Sequence, residues 1–553
     1  MAWEGLRLIN TTDVNTSARY ESIKNFNMPE IKDIKATSSG GASAGSAKLT
    51  SGSLLARNAT LNLATEGWIF LVLLVAMPKL VSFLGNTQFG LFSLAWVVIG
   101  YLAFLDVGVN RAATKFVSEH LAEEDHDSAR LIVRTALTAN LALGLAGGLV
   151  VVLASPYLIQ SVFKVSPELQ SQARLTFYAV GLAVPVLLVQ GVFRAVLSSY
   201  QRFGWINAVS VLTTTVQWGA AAVLAWKGYG VALVVFATVA ARILATTAYA
   251  AVLFRLLADL QLFRIHGMHG LPKLLRFGRW VTVSQLVSPL LVYLDRVLIA
   301  SFVSLAAVTL YTVPYEVMTR LRIIPSSLVA TLYPAFSERG SEGQRVPLER
   351  LYEGSVRYLA LVLVPGILFL FTLGPDLFGL WMGSAFEGQT SIVVQILAVG
   401  VLANALAYVP YNLLQALGRP DLTGKFHLLE LPLYVALCVV LIPRWGIAGA
   451  AMASTFRFVL DSALLFWAAG KYCRCSLRGF WGSAFPRILT LGCVLGVALV
   501  AIKLAPRGPW VRLGLGAVAL GICLVASWIF VVDNREKPRI SGALKMLLGQ
   551  PAA

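Results

Sequence analysis

The chain has 553 residues, 57% of them hydrophobic and 13% charged, whereas a soluble domain carries about 25% charge. That composition excludes a soluble globular protein and places most of the chain in a bilayer. The formal net charge of +18 would otherwise raise the question of nucleic acid, but in a membrane chain basicity is read loop by loop.

Residues 1–55 are polar and rich in Ser, Gly and Thr, ending near ATSSGGASAGSAKLTSG. They read as a disordered cytoplasmic tail without a signal-peptide core, and Met28 offers an alternative start. Beyond the tail come fourteen apolar segments: 66–84, 89–105, 131–154, 174–196, 206–226, 231–255, 279–301, 304–325, 355–374, 391–414, 427–443, 446–468, 484–504 and 510–532. Most approach the roughly 20 residues a helix needs to cross the hydrocarbon core. Long continuous apolar runs favour helices over barrel strands. The segment 89–105 is short, and 304–325 carries Glu316, Arg320 and Arg322.

The loops give an independent check. With both termini inside, the external loops hold only Lys164, Arg174, Lys227, Arg444, Lys503, Arg507 and Arg512, while the other loops and both tails hold most of the Lys and Arg. This bias follows the positive-inside rule and accounts for most of the basicity through topology and anionic lipid, without nucleic acid.

The sequence also repeats itself. KLVSFLGNTQFGLFSL from Lys79 is similar to LIASFVSLAAVTLYTV from Leu298, SYQRFGW around Arg202 to QALGRPD around Arg419, and YGVA at Tyr229 to WGIAGA at Trp445. The separation between partners is nearly constant. The expected fold is therefore all-α and membrane-spanning, with about fourteen helices in two seven-helix lobes forming an inverted repeat around a central cavity. The boundaries follow: tail 1–55, N-terminal lobe and cytoplasmic linker 56–278, C-terminal lobe 279–535, cytoplasmic tail 536–553.

Walker, Rossmann and HExxH motifs do not occur, and no extramembrane segment is long enough for a conventional glycosyltransferase. No enzymatic activity is expected. The scattered cysteines, with one CxC at Cys473 and Cys475, suggest neither disulfides nor a metal site, and no cofactor is expected.

Charges within spans are the informative residues, because an unpaired one costs several kcal/mol, on the order of 3. Arg296, Arg320 and Lys79, in or beside spans seven, eight and one, are candidates for holding an anionic head group such as pyrophosphate. Asp295, Glu316 and Glu66 are candidate polar or coupling residues of the same cavity. Asp295 and Arg296 are sequence neighbours and do not share a helix face, so mutual pairing is not expected. Glu316 with Arg320, and Arg457 with Asp461, have the i,i+4 spacing of local ion pairs. Arg242 and Glu430 read as interface or helix-pairing charges, and Arg111 and Lys115 as the cytoplasmic edge.

Four stretches then resemble the polysaccharide-transport branch of the multidrug/oligosaccharidyl-lipid/polysaccharide exporter superfamily, which includes O-antigen flippases. They are FLDVGVNRAATKFVSE from Phe104, GVFRAVLSSYQRFGWIN from Gly191, YLDRVLIASFVSLAAVTLYTVPYEVMTRLRIIPSSLVATLYPAFSE from Tyr293, and LLQALGRPDLTGK from Leu413. Asp106, Gly108 and Arg111 match the family's turn and basic helix, and Arg202 and Arg419 the two repeat turns. The resemblance implies a flippase or exporter of a lipid-linked oligosaccharide in the bacterial inner membrane, working by alternating access. The implied substrate is an undecaprenyl-pyrophosphate-linked glycan, with membrane lipids and the pathway's polymerase and glycosyltransferases as partners. Alternatives are a multidrug or small-cation antiporter of the superfamily, a lipid II flippase, a non-transporting scaffold for polysaccharide assembly, and an integral-membrane glycosyltransferase.

Overall fold

The computed structural model describes residues 52–106, 108–123, 125–256, 271–341 and 345–531. The expected N-terminal tail, except for residues 52–55, the whole expected C-terminal tail 536–553, and most of the linker 257–278 lie outside them. The described chain is helical: α1 (Gly52–Leu102), α2 (Val109–Ala122), α3 (His126–Tyr157), α4 (Pro167–Ser199), α5 (Phe203–Trp226), α6 (Val231–Leu256), α7 (Leu271–Phe302), α8 (Leu305–Arg320), α9 (Ile323–Ser341), α10 (Arg345–Met382), α11 (Ser384–Ala416), α12 (Pro420–Tyr472), α13 (Phe485–Leu504) and α14 (Pro509–Phe530). Ten of these are long and apolar enough to cross a membrane. The expected boundary at 278/279 falls inside α7.

Two of the ten double back. A straight helix would separate Trp68 and Phe92 by about 36 Å. Yet the Trp68 indole donates to Thr215 (2.9 Å) and Phe92 packs on Trp218 (5.9 Å), within one turn of α5. The reversal is at Gly85, whose φ of 72° is accessible to glycine at little cost. In α12 the same happens at Gly446 (φ 56°): a Cβ at Gly449 would collide with the Leu441 carbonyl, two turns earlier in sequence. The segments expected as spans one with two, and eleven with twelve, are therefore hairpins within α1 and α12. Expected span eight is α8, ending at Arg320, followed after Leu321 and Arg322 by α9.

The outward surface is apolar, with Leu145, Val150, Leu153, Val497 and Leu504 exposed, as lipid contact requires. Exposed Tyr157, Trp226, Tyr229, Trp445 and Trp510 all sit at helix ends on the side expected to be external, the level at which amphipathic rings anchor. The protein is a multi-pass membrane protein. One buried cluster runs from α1 (Leu80, Leu84, Phe89, Phe92) through α7 and α8 (Ile299, Val308, Tyr311) to α11 and α12 (Val393, Cys438, Phe458), so the first and later passes share a core.

The repeat has structural counterparts. Gly85 corresponds to Ser304, and both break the helix: Ser304 is extended and caps α8 by accepting from the Ala307 N–H (3.1 Å). Gln201 corresponds to Gly418, and both have positive φ, 55° and 72°, just before Arg202 and Arg419, which cap α5 and α12. Among the described residues, the helices between Gly85 and Ser304 that run the length of a pass are the second half of α1, then α3, α4, α5, α6 and α7.

Candidate functional site

The site begins with a helix start. Asp106 is buried in a short 3-10 turn, and Gly108 (φ 74°) redirects the chain into α2. The Asp106 carboxylate accepts from the Asn110 N–H (3.0 Å) and from the Asn140 amide (3.2 Å), which also donates to the Asn110 side chain (3.0 Å). An acceptor at the first turn satisfies donors that no intrahelical carbonyl reaches. This capping fixes the next turn, where Arg111 faces a cavity of 640 Å³.

That cavity is lined by charge and amide. Arg111, Arg194 and Arg242 are joined by Asn62, Glu66, Gln190, Asn207 and Gln217. Ile69, Thr214, Gln217 and Arg242 also line a second cavity of 410 Å³, so the two are contiguous. The second is walled by Trp96, Tyr293, Arg296, Glu316 and Arg320 and reaches Met77 and Phe89. Beyond lie the buried Leu80, Leu84 and Leu91. There the helix breaks meet. A Cβ at Gly90 would collide with the Leu305 carbonyl, and the Thr309 hydroxyl donates to the Asn86 carbonyl (2.6 Å).

Asp295 and Arg296 are both essentially inaccessible, at 0% and 1% exposure. Contrary to expectation they do touch. Asp295 Oδ1 folds back to accept the Arg296 backbone N–H (2.8 Å) and stands 3.5 Å from its guanidinium. The other Asp295 oxygen accepts from the hydroxyls of Tyr311 (2.5 Å) and Ser454 (3.3 Å). The Arg296 guanidinium donates to Glu316 (2.9 Å) and lies over the Tyr315 ring (4.4 Å). Glu316 therefore pairs across helices with Arg296, and Arg320 with Glu66 of α1 (3.5 Å), rather than with each other. The expected Arg457–Asp461 pair is also not formed: Arg457 lies over the rings of Tyr434 (5.3 Å) and Phe458 (4.5 Å), and its Nε and Asp461 Oδ1 have no hydrogen-bond partner.

Of the expected anion-binding residues, Arg296 and Arg320 line the cavity wall, already opposed by carboxylates. Lys79 is exposed and lines neither cavity. Sequence reasoning missed Arg194 and took Arg242 for an interface charge. Arg242 lies over the Trp96 ring (4.6 Å), and its Nε has no partner. Among the described residues no carboxylate lies within ion-pair distance of Arg111, Arg194 or Arg242, whereas Glu66 and Glu316 are both engaged. The signal was an arginine inside an otherwise apolar run, as in GVFRAVL and VAARILA.

A family model described as polysaccharide biosynthesis protein matches residues 55–339. A putative O-antigen transporter of Shigella flexneri is 24% identical over 404 residues, covering 72% of this chain and 94% of that protein. A probable low-salt glycan biosynthesis flippase of Haloferax volcanii, Agl15, is 24% identical over 191 residues, 34% of this chain and 40% of its own. Among solved structures, lipid II flippase MurJ in an inward closed conformation superposes with a TM-score of 0.65 at 10% identity, covering 82% of this chain and 98% of that one. An inward-facing multidrug resistance MATE family transporter gives 0.61 at 16% identity, covering 78% and 95%. These two share the fold with this chain. With more than half of its length inside the matched stretch, the chain belongs to the polysaccharide biosynthesis protein family.

Proposed function

We propose that the protein moves a lipid-linked glycan with an anionic head group across the bacterial inner membrane by alternating access. The observation that carries this is the trio Arg111, Arg194 and Arg242: guanidinium groups without carboxylate partners among the described residues, facing one cavity beside Asn and Gln side chains. Arginine forks suit phosphate oxygens, and amides suit sugar hydroxyls. The names of the Shigella and Haloferax relatives support the same substrate class. A cation exporter would want free carboxylates in the cavity, and those present are paired.

The repeat supports two six-pass units, refining the seven-span expectation. Swapping Asn86 with Leu305 and Gly90 with Thr309 exchanges the two contacts between the helix breaks, as a pseudo-two-fold axis requires. An even number of passes gives both units the same orientation, so the axis runs along the membrane normal rather than within its plane. The halves are then α1–α6 and α7–α12, with α13 and α14 outside the repeat. With cytoplasmic termini the arginine cavity opens inward, and the paired breaks seal the outer side. The glycosyltransferases and polymerase of the same pathway act before and after this step.

The test is a deletion strain. Lipid-linked glycan accumulates at the cytoplasmic face, and the native chain restores export. Combined Arg194→Gln and Arg242→Gln lowers export tenfold or more, from about 1.5–3 kcal/mol per lost charged hydrogen bond. Normal glycan export with lost drug resistance would instead identify a drug exporter.

A further inference from the structure

α12 holds a second polar cluster, separate from the arginine cavity. His427 and Glu430 stand one turn apart on its first pass, and Asp461 on its second. Gly446 folds the passes together, and Glu430 and Asp461 lie at nearly equal helix lengths before and after it, which brings them level. One donor atom from each of the three side chains lies within 4.8 Å of the others. Glu430 is 1% exposed and Asp461 7%. Among the described residues neither Glu430 carboxylate oxygen has a hydrogen-bond partner, nor does Asp461 Oδ1 or His427 Nδ1; the His427–Glu430 approach is 3.5 Å.

The chemistry of these atoms selects the occupant. One atom from each of the three side chains converges on one point, and the contact among them is the 3.5 Å approach of His427 Nδ1 to Glu430. A proton bridges two such atoms, whereas a metal ion engages all of them. A buried carboxylate with neither oxygen bonded is costly unless a cation sits beside it. Two cations can stand beside it: Arg457, whose guanidinium lies over Tyr434 and Phe458 and among the described residues forms no ion pair with Asp461 or Glu430, and His427, which when protonated pairs with Glu430 at 3.5 Å and releases that proton when its nitrogen takes a metal. Sodium, magnesium and calcium prefer oxygen-only shells, and imidazole with two carboxylates is a ligand set for zinc-like divalent ions. The geometry points to His427, Glu430 and Asp461 as a binding site for a divalent transition ion of the zinc class, bridging the two passes of α12. Arg457 acts against the ion and weakens it.

The experiment uses the full chain, purified without a polyhistidine tag in detergent, incubated with zinc and dialysed, with metal counted by mass spectrometry and affinity by competition with a zinc indicator. One zinc per chain is expected. Affinity falls about tenfold or more in Glu430→Gln and in His427→Gln, is unchanged in His120→Ala, and rises in Arg457→Gln. Gel filtration shows which variants are folded. If the native chain retains no zinc, or both ligand variants retain it as the native chain does, the proposal is overturned.

Discussion

Gln201 holds a left-handed backbone angle where its repeat partner is a glycine. Such a conformation costs a residue with a Cβ about 1–2 kcal/mol. Gln201→Gly is therefore expected to stabilise the protein by about 1 kcal/mol, and Gly418→Gln to destabilise it similarly; thermal unfolding in detergent measures both. Asp125, outside the membrane, caps α3 by accepting from the Ser128 N–H (3.0 Å). Its bonds to the Ser128 side chain and backbone hold its carboxyl below the usual range. A depressed pKa contributes stability above the unfolded carboxylate's pKa, and that stability is lost as pH falls through the folded value. Asp125→Ala should thus be less stable than the native chain at neutral pH and match it in acid, as paired melting curves at the two pH values would show.

At the scale of elements, α13 and α14 pack on α10 through an apolar cluster of Leu373, Leu495, Leu499 and Cys523, and one buried carboxylate ties both to it. Asp376 of α10, 3% exposed, accepts from Arg512 of α14 (2.8 Å) and stands 4.0 Å from Lys503 of α13, whose ammonium donates to the Thr372 carbonyl (2.8 Å). Asp376→Asn should loosen both helices at a cost of about 1.5–3 kcal/mol, seen as faster proteolysis of the loop around Arg507 with the other passes intact. The passes themselves were legible in the sequence, because a long apolar run carries its own length. The two hairpins are legible as well, in the gaps between segments 66–84 and 89–105 and between 427–443 and 446–468; what the apolar sequence does not display is the contact set that the reversals at Gly85 and Gly446 create, such as Trp68 with Thr215. The polar partners were also hidden. Spacing predicts Glu316 with Arg320, but packing of α7 on α8 offers Glu316 the closer Arg296, and α1 offers Glu66 to Arg320. His427 and Glu430 share a turn that the sequence displays, while Asp461 joins them only once Gly446 has folded α12 back on itself.

For the whole molecule, alternating access requires the paired helix breaks to separate at each turnover. A cross-link between Asn86→Cys and Thr309→Cys, made with a short, reducible thiol-to-thiol reagent where the Thr309 hydroxyl meets the Asn86 backbone carbonyl at 2.6 Å, should hold the seal closed and stop export of glycan. Reduction should restore it. Export that continues while the bond is demonstrably formed would mean that the breaks do not part during transport.

The seal at Gly90 is made of backbone on both sides, with the Leu305 carbonyl filling the space a side chain would take. Around it stand the apolar Leu80, Leu84 and Leu91, and the Thr309 hydroxyl is already bonded to the Asn86 carbonyl, so this closure offers little free polar chemistry by which to discriminate among cargoes. Under the proposed function, selectivity would then belong to the arginine chamber, with the seal as a generic valve. On that reading, substitutions in the chamber are expected to change which glycan is exported. Enlarging residue 90, by contrast, would alter the resting state for every cargo alike.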